Sequence, residues 1–144
     1  MSESPAANDA CETTIRVRYS ETDAMGYLHH ANYISFFEIA RTELFRVQGG
    51  DYRGMEARGF FFVVVKVECD YKSPAHYDDQ LTVQCRIARQ TPAKLEHEYT
   101  VTRDGRLIAR GRTILACVDR EGRVQRITPE ILYGAVPGTE IVDV

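Results

Sequence analysis

Apolar and polar positions alternate with a period of two at the start of the chain. In residues 14–19, Ile15, Val17 and Tyr19 fall on one side and Arg16 and Arg18 on the other. That pattern predicts a half-buried strand. The period then changes. From about Tyr33 to Val47, a helical projection gathers Tyr33, Ile34, Phe36, Phe37, Ala40, Leu44 and Phe45 into one wide arc that Ile39 extends, leaving Glu38, Thr42, Glu43 and Arg46 outside it. So wide an arc predicts a helix covered on several sides. Asn32 is the expected N-cap, and Gly49-Gly50 the stop.

Beyond Gly59 the period returns to two. Phe61, Val63, Val65, Val67, Cys69 and Tyr71 alternate with a second set that turns polar at Lys66, Glu68, Asp70 and Lys72. Ser73-Pro74-Ala75 and Asp78-Asp79 mark a turn region. Leu81, Val83, Cys85 and Ile87 give a second strand, and Leu95, His97, Tyr99 and Val101 a third. Asp104-Gly105 has the two-residue hairpin signature. A long strand follows over residues 106–119, then a turn at Arg120-Glu121-Gly122 and a short strand over residues 124–127. Thr128-Pro129-Glu130 opens a terminal helix. No βαβ signal repeats, so a doubly wound fold is not expected. The economical reading is α+β: one long helix against a curved antiparallel sheet of five or six strands. Such a sheet leaves an edge open, which predicts oligomerisation.

Composition adds limits. The 144 residues fit one domain with its own core. Residues 1–12 are rich in Ser, Ala, Asn and Asp and lack the basic and apolar stretches of a secretion signal. They read as a flexible tail ahead of a single domain over residues 13–144. The longest apolar run, residues 60–65, is far too short to span a bilayer. A net charge of −3, with basic residues scattered among acidic ones, gives no case for nucleic acid. Cys11, Cys69, Cys85 and Cys117 form no Cys-x-x-Cys pair. Cys69, Cys85 and Cys117 fall on the apolar phase of strand patterns and read as small hydrophobes, and the protein as cytoplasmic.

The chemistry concentrates between the first strand and the helix. Residues 19–33 bring Asp23, Gly26, His29, His30 and Asn32 into one connection. A carboxylate there can act as base or nucleophile, and free N–H groups at a helix start can bind an oxyanion. The structural alternative for Asp23 is an Asx-turn or a pairing with Arg16 or Arg18. Gly26 supplies a left-handed turn, a close backbone approach, or both. Adjacent His29 and His30 lack the third ligand that a metal site needs, so no metal is expected. His76 and His97 read as structural. There is no nucleophile elbow, phosphate loop or dinucleotide fingerprint, and Phe60-Phe61-Phe62 reads as core or subunit interface.

Residues 19–43, YSETDAMGYLHHANYISFFEIARTE, resemble the 4-hydroxybenzoyl-CoA thioesterase family of hotdog-fold proteins. They are especially similar to the bacterial acyl-CoA thioesterase branch that includes Tol-Pal-associated enzymes. The shared pattern is Thr-Asp-x-x-Gly, then His-x-Asn-Tyr, then an apolar helix with Ala-Arg-Thr-Glu. Residues 71–79, YKSPAHYDD, extend it. The resemblance implies a hotdog fold and hydrolysis of acyl-CoA without a cofactor. It makes Asp23 the nucleophile or general base and His30 the residue whose backbone N–H polarises the thioester carbonyl. It places Tyr19, Gly26, Asn32 and Tyr33 at the substrate. The site would lie at the interface of a homodimer or homotetramer, with Phe62 and Val63 lent by the partner. An acyl carrier protein thioesterase and a non-catalytic acyl-CoA-binding domain are the alternatives. The Thr-Asp-x-x-Gly pattern argues against a hydratase.

Overall fold

The computed structural model describes residues 9–134. Six strands, β1 (Ala10–Arg16), β2 (Phe60–Tyr71), β3 (Gln80–Gln90), β4 (Leu95–Arg103), β5 (Arg106–Asp119) and β6 (Val124–Gln125), form one antiparallel sheet. Its order is β1-β3-β4-β5-β2, with β6 paired to the end of β5. The long helix α1 (Asn32–Val47) lies on one face, and two short helices, α2 (Tyr52–Ala57) and α3 (Pro129–Tyr133), sit at one end. This is the arrangement that the hotdog resemblance implies.

The wide apolar arc of α1 explains its position. Tyr33, Phe36, Phe37, Ala40 and Leu44 are buried against Leu81, Val83, Cys85, Tyr99, Val101 and Ile108 from the sheet. Phe37 stacks on Tyr99 with ring centroids 4.3 Å apart. Gly111 on β5 makes room for this pair, because a Cβ there would stand 2.2 Å from the Phe37 ring. Ile39 is half exposed rather than an extension of the arc, and Arg41 is buried instead. Gly49 closes the helix at φ +89°, its N–H donating to the Arg46 carbonyl. A second cluster joins Phe45, Met55, Leu95, Leu115 and Leu132 under α2 and α3.

Four expectations are corrected. Strand β1 begins at Ala10, inside the predicted tail, because Cys11 and Thr13 continue the inward phase of Ile15 and residues 10–16 pair with β3 throughout. Residues 1–8 of that tail lie outside the described residues. The strand also ends at Arg16, and Tyr19 starts a 3-10 turn (Tyr19–Glu21). Asn32 is not the N-cap but the first helical residue. Ala31 occupies the cap without a side-chain bond, and the Asn32 amide reaches back to the Glu21 carbonyl at 2.8 Å. Helix α2 was not visible in the pattern; Asp51 caps it, accepting from the Arg53 and Gly54 N–H groups.

The fourth correction concerns β2. Its pairing with β5 slips between Val64 and Lys66, leaving Val65 as a bulge residue. A bulge switches the phase of a strand. Downstream, Cys69 and Tyr71 face α1, as expected. Upstream, Phe62 and Val64 face α1, whereas Phe61 and Val63 turn to a separate surface hollow with Val118 and Arg120. The single alternating set predicted from Phe61 to Tyr71 is therefore split between two faces.

Candidate active site

The connection between β1 and α1 folds as a small pinned hairpin. Thr22 and Leu28 bridge, the Asp23 N–H donates to the Tyr27 carbonyl at 2.8 Å, and Gly26 turns at φ +78°. Asp23 closes the turn from within. Its Oδ1 accepts from the Met25 N–H at 2.9 Å and the Tyr27 N–H at 3.1 Å. This is the Asx-type local bonding foreseen as the structural role, and no salt bridge to Arg16 or Arg18 accompanies it. The other carboxylate oxygen, Oδ2, takes no hydrogen bond among the described residues. One oxygen thus fixes the side chain and leaves its twin open.

Two contacts anchor the hairpin from behind. Glu21 is buried and accepts from the Arg18 N–H at 2.7 Å, and its own carbonyl receives both the His29 N–H and the Asn32 amide. On the other side the Leu28 N–H donates to the Ala75 carbonyl at 2.7 Å, and Tyr27 meets His76 edge-on. The 71–79 segment is itself held by Asp79, which accepts from the His76 N–H and from Arg103. Burial pushes the Asp79 carboxyl up, but those donors outweigh it and hold the group below its usual range.

The start of α1 distributes its N–H groups unevenly. The His29 N–H goes to Glu21, the Ala31 N–H to His29 Nδ1, the Asn32 N–H to the His29 carbonyl, the Tyr33 N–H to the His30 carbonyl and the Ile34 N–H to the Ala31 carbonyl. The His30 N–H alone in this run has no acceptor among the described residues. It sits beside a helix N-terminus, where the dipole favours negative charge. The His29 and His30 rings lie 4.2 Å apart, and no third ligating side chain joins them among the described residues.

Asp23 and His30 open onto the same cleft, about 290 Å³, with Tyr27, Leu28, Tyr33, Tyr71, Lys72, Ser73 and Pro74. Tyr71 and its neighbours belong to the 71–79 segment, and no linear pattern marks them as cleft residues. Tyr71 spans the cleft wall: its hydroxyl donates to the His30 carbonyl at 3.0 Å and its ring meets Tyr33 edge-on at 5.1 Å. Burial pushes both the Tyr33 and Tyr71 hydroxyls up to about 12, so both remain protonated donors near neutral pH.

The other predicted residues fall outside this cleft. Tyr19 is 78% exposed and packs edge-on against Tyr77. Gly26 and Asn32 shape the loop without lining the cavity. Phe62 and Val63, being neighbours in a strand, point to opposite faces, and only Phe62 lies on the helix side.

A family model described as the thioesterase-like superfamily matches residues 17–134. The acyl-CoA thioester hydrolase YbgC of Escherichia coli O157:H7 is 34% identical over 106 residues, covering 73% of this chain and 79% of that protein. Among solved structures, the DHNA-CoA thioesterase from Staphylococcus aureus superposes with a TM-score of 0.80 at 28% identity, covering 81% of this chain and 80% of that one. The protein TT1821 from Thermus thermophilus superposes with a TM-score of 0.79 at 38% identity, covering 83% and 92%.

Proposed function

The chain belongs to the thioesterase-like superfamily, and on that premise we propose that it hydrolyses acyl-CoA thioesters to free acid and CoA. The observation that carries this reading is the single cleft shared by the open oxygen of Asp23 and the free N–H of His30. A thioester seated with its carbonyl oxygen on the His30 N–H presents its carbonyl carbon to Asp23. The carboxylate then accepts a proton from an attacking water, or attacks the carbon itself to give an anhydride that water opens. In both routes the C–S bond breaks and CoA leaves as the thiol. The positive end of α1 and the N–H donor stabilise the developing oxyanion, worth about 3 kcal/mol for one well-placed donor. His30 acts here through its backbone rather than its ring.

Within the superfamily, Thr22-Asp23 with Gly26, followed by His30-Ala31-Asn32-Tyr33, favours the 4-hydroxybenzoyl-CoA thioesterase family and its Tol-Pal-associated branch. We assign the working form to a homodimer, or to a homotetramer built from it. The exposed β2 edge, with Val63, Val64, Val65 and Val67, is the surface a second copy would cover. That copy would lay its own β2, with Phe62 and Val63 on its two faces, alongside this edge. Four free cysteines suit a reducing, cytoplasmic setting. None of the described helices is long and apolar enough to cross a membrane.

The test is thiol release from a panel of aliphatic and aromatic acyl-CoAs. Wild type should turn over at least one class, and Asp23→Asn should lower kcat/KM by about a hundredfold or more. Near-wild-type turnover by the Asn variant would remove Asp23 from the chemistry.

A further inference from the structure

Arg41 is the one charged side chain of α1 that the fold draws inside. Its side chain is 8% exposed, and its Nη1 has no hydrogen-bond acceptor among the described residues. Its nearest carboxylate, Glu38 Oε2, is 3.7 Å from Nη2 and belongs to a side chain mostly in solvent. Tyr52, Tyr99 and His97 surround the guanidinium and the two tyrosines temper its burial, but a buried cation without a firm counter-anion is costly, and an anion that reaches it offsets part of that cost. Arg41 also lines a second cavity, about 260 Å³, between α1, α2 and β2. Phe62, Val64 and Leu115 supply apolar walls, and Tyr52 a polar one. Glu38 and Glu56 stand at its rim in water, where screening weakens them.

This cavity and the Asp23 cleft lie along the same helix and strand. Tyr33 meets Tyr71 at one end of β2, and Arg41 shares its cavity with Phe62 and Val64 at the other. Tyr33 and Arg41 are separated by about 12 Å of helix rise. We propose that the Arg41 cavity receives the far end of the acyl group and selects acyl chains that end in a carboxylate. The apolar walls take the methylene chain, and the guanidinium fork matches the terminal carboxylate. This assignment rests on the thioesterase reading and adds to it a substrate class, the mono-CoA thioesters of dicarboxylic acids.

The experiment compares chains of equal length with and without the terminal carboxylate: adipoyl-, suberyl- and sebacyl-CoA against hexanoyl-, octanoyl- and decanoyl-CoA. The expected result is a preference of tenfold or more in kcat/KM for the carboxylated member of at least one pair. Arg41→Gln should abolish that preference by lowering the carboxylated member at least tenfold more than its uncharged counterpart, and Arg41→Lys should keep part of it. If Arg41→Gln does not fold, Thr42→Trp, which fills the cavity from the helix surface, serves as the second variant and should likewise abolish the preference. No preference at any length, or one that survives these substitutions, overturns the proposal while leaving the thioesterase reading intact. If no acyl-CoA is hydrolysed, the thioesterase reading falls instead. Calorimetric titration with free adipate, suberate and sebacate then decides the cavity. Saturable binding weakened at least tenfold in the variant supports the carboxylate site, and absence of binding overturns it.

Discussion

His97 is buried in the middle of β4 with its Nδ1 unpartnered among the described residues. Burial, aided by the charge of Arg41, pushes its imidazole down to about 3. In the unfolded chain the same ring titrates near 6.5. Between those values the unfolded state holds a proton that the folded state refuses, so stability falls as the pH drops through the window. The cost is about 1.4 kcal/mol per pH unit, or roughly 2 kcal/mol between pH 7 and pH 5. His97→Gln should flatten that part of the profile, read by urea unfolding at several pH values. An unchanged slope in the variant would place the pH sensitivity elsewhere. The structural role expected for this histidine was legible because it occupied the apolar phase of a strand. The partnership of Asn32 with Glu21 was not, since nothing in a linear pattern distinguishes an amide that caps from one that reaches back eleven residues. Asp23 was legible as a loop carboxylate, and both readings entertained for it are compatible: one oxygen ties the turn and the other stays open.

At the scale of elements, the close approach of α1 to β5 is decided by one missing side chain. Gly111→Ala would drive a methyl group into the Phe37 ring and, at 3.2 Å, against the Glu68 carbonyl. Over-packing of this kind costs about 1–3 kcal/mol. Differential scanning calorimetry should show a lower Tm, and Gly111→Ala with Phe37→Leu should recover part of the loss. A Tm unchanged by Gly111→Ala would mean that the helix and sheet can part without penalty. The strands with strict alternation, β3 and β4, and the Asp104-Gly105 hairpin with φ of +49° and +79° matched the pattern because one face is core and the other solvent. Helix α2 escaped because six residues give less than two turns of periodicity and contain Gly54. The upstream half of β2 escaped for the opposite reason. Phe60 to Val65 is apolar at every position, so nothing in it marks a phase.

At the scale of the molecule, the two sheet edges differ. Strand β1 offers seven residues with Glu12, Thr14 and Arg16 outward, a polar margin that discourages pairing. Strand β2 offers twelve, with Val65 at 55% exposure and Val64 and Val67 nearly as open. The proposed dimer follows from that contrast. Val65→Lys with Val67→Lys should give a monomer by light scattering with an unchanged circular dichroism spectrum. Its thioester hydrolysis should fall more than tenfold, since each cleft would lose the strand of its neighbour. A fully active monomer would confine the site to one chain. The Val65 bulge carries one more consequence. Seen from the two cavities, it corrects the phase by one residue: Phe62 and Tyr71 are an odd nine positions apart, and the bulge lets both stand on the helix side. The bond to be cut and the pocket proposed to read the end of the chain are therefore kept on one wall by a single unpaired residue, and a second insertion beside it would turn half of that wall over.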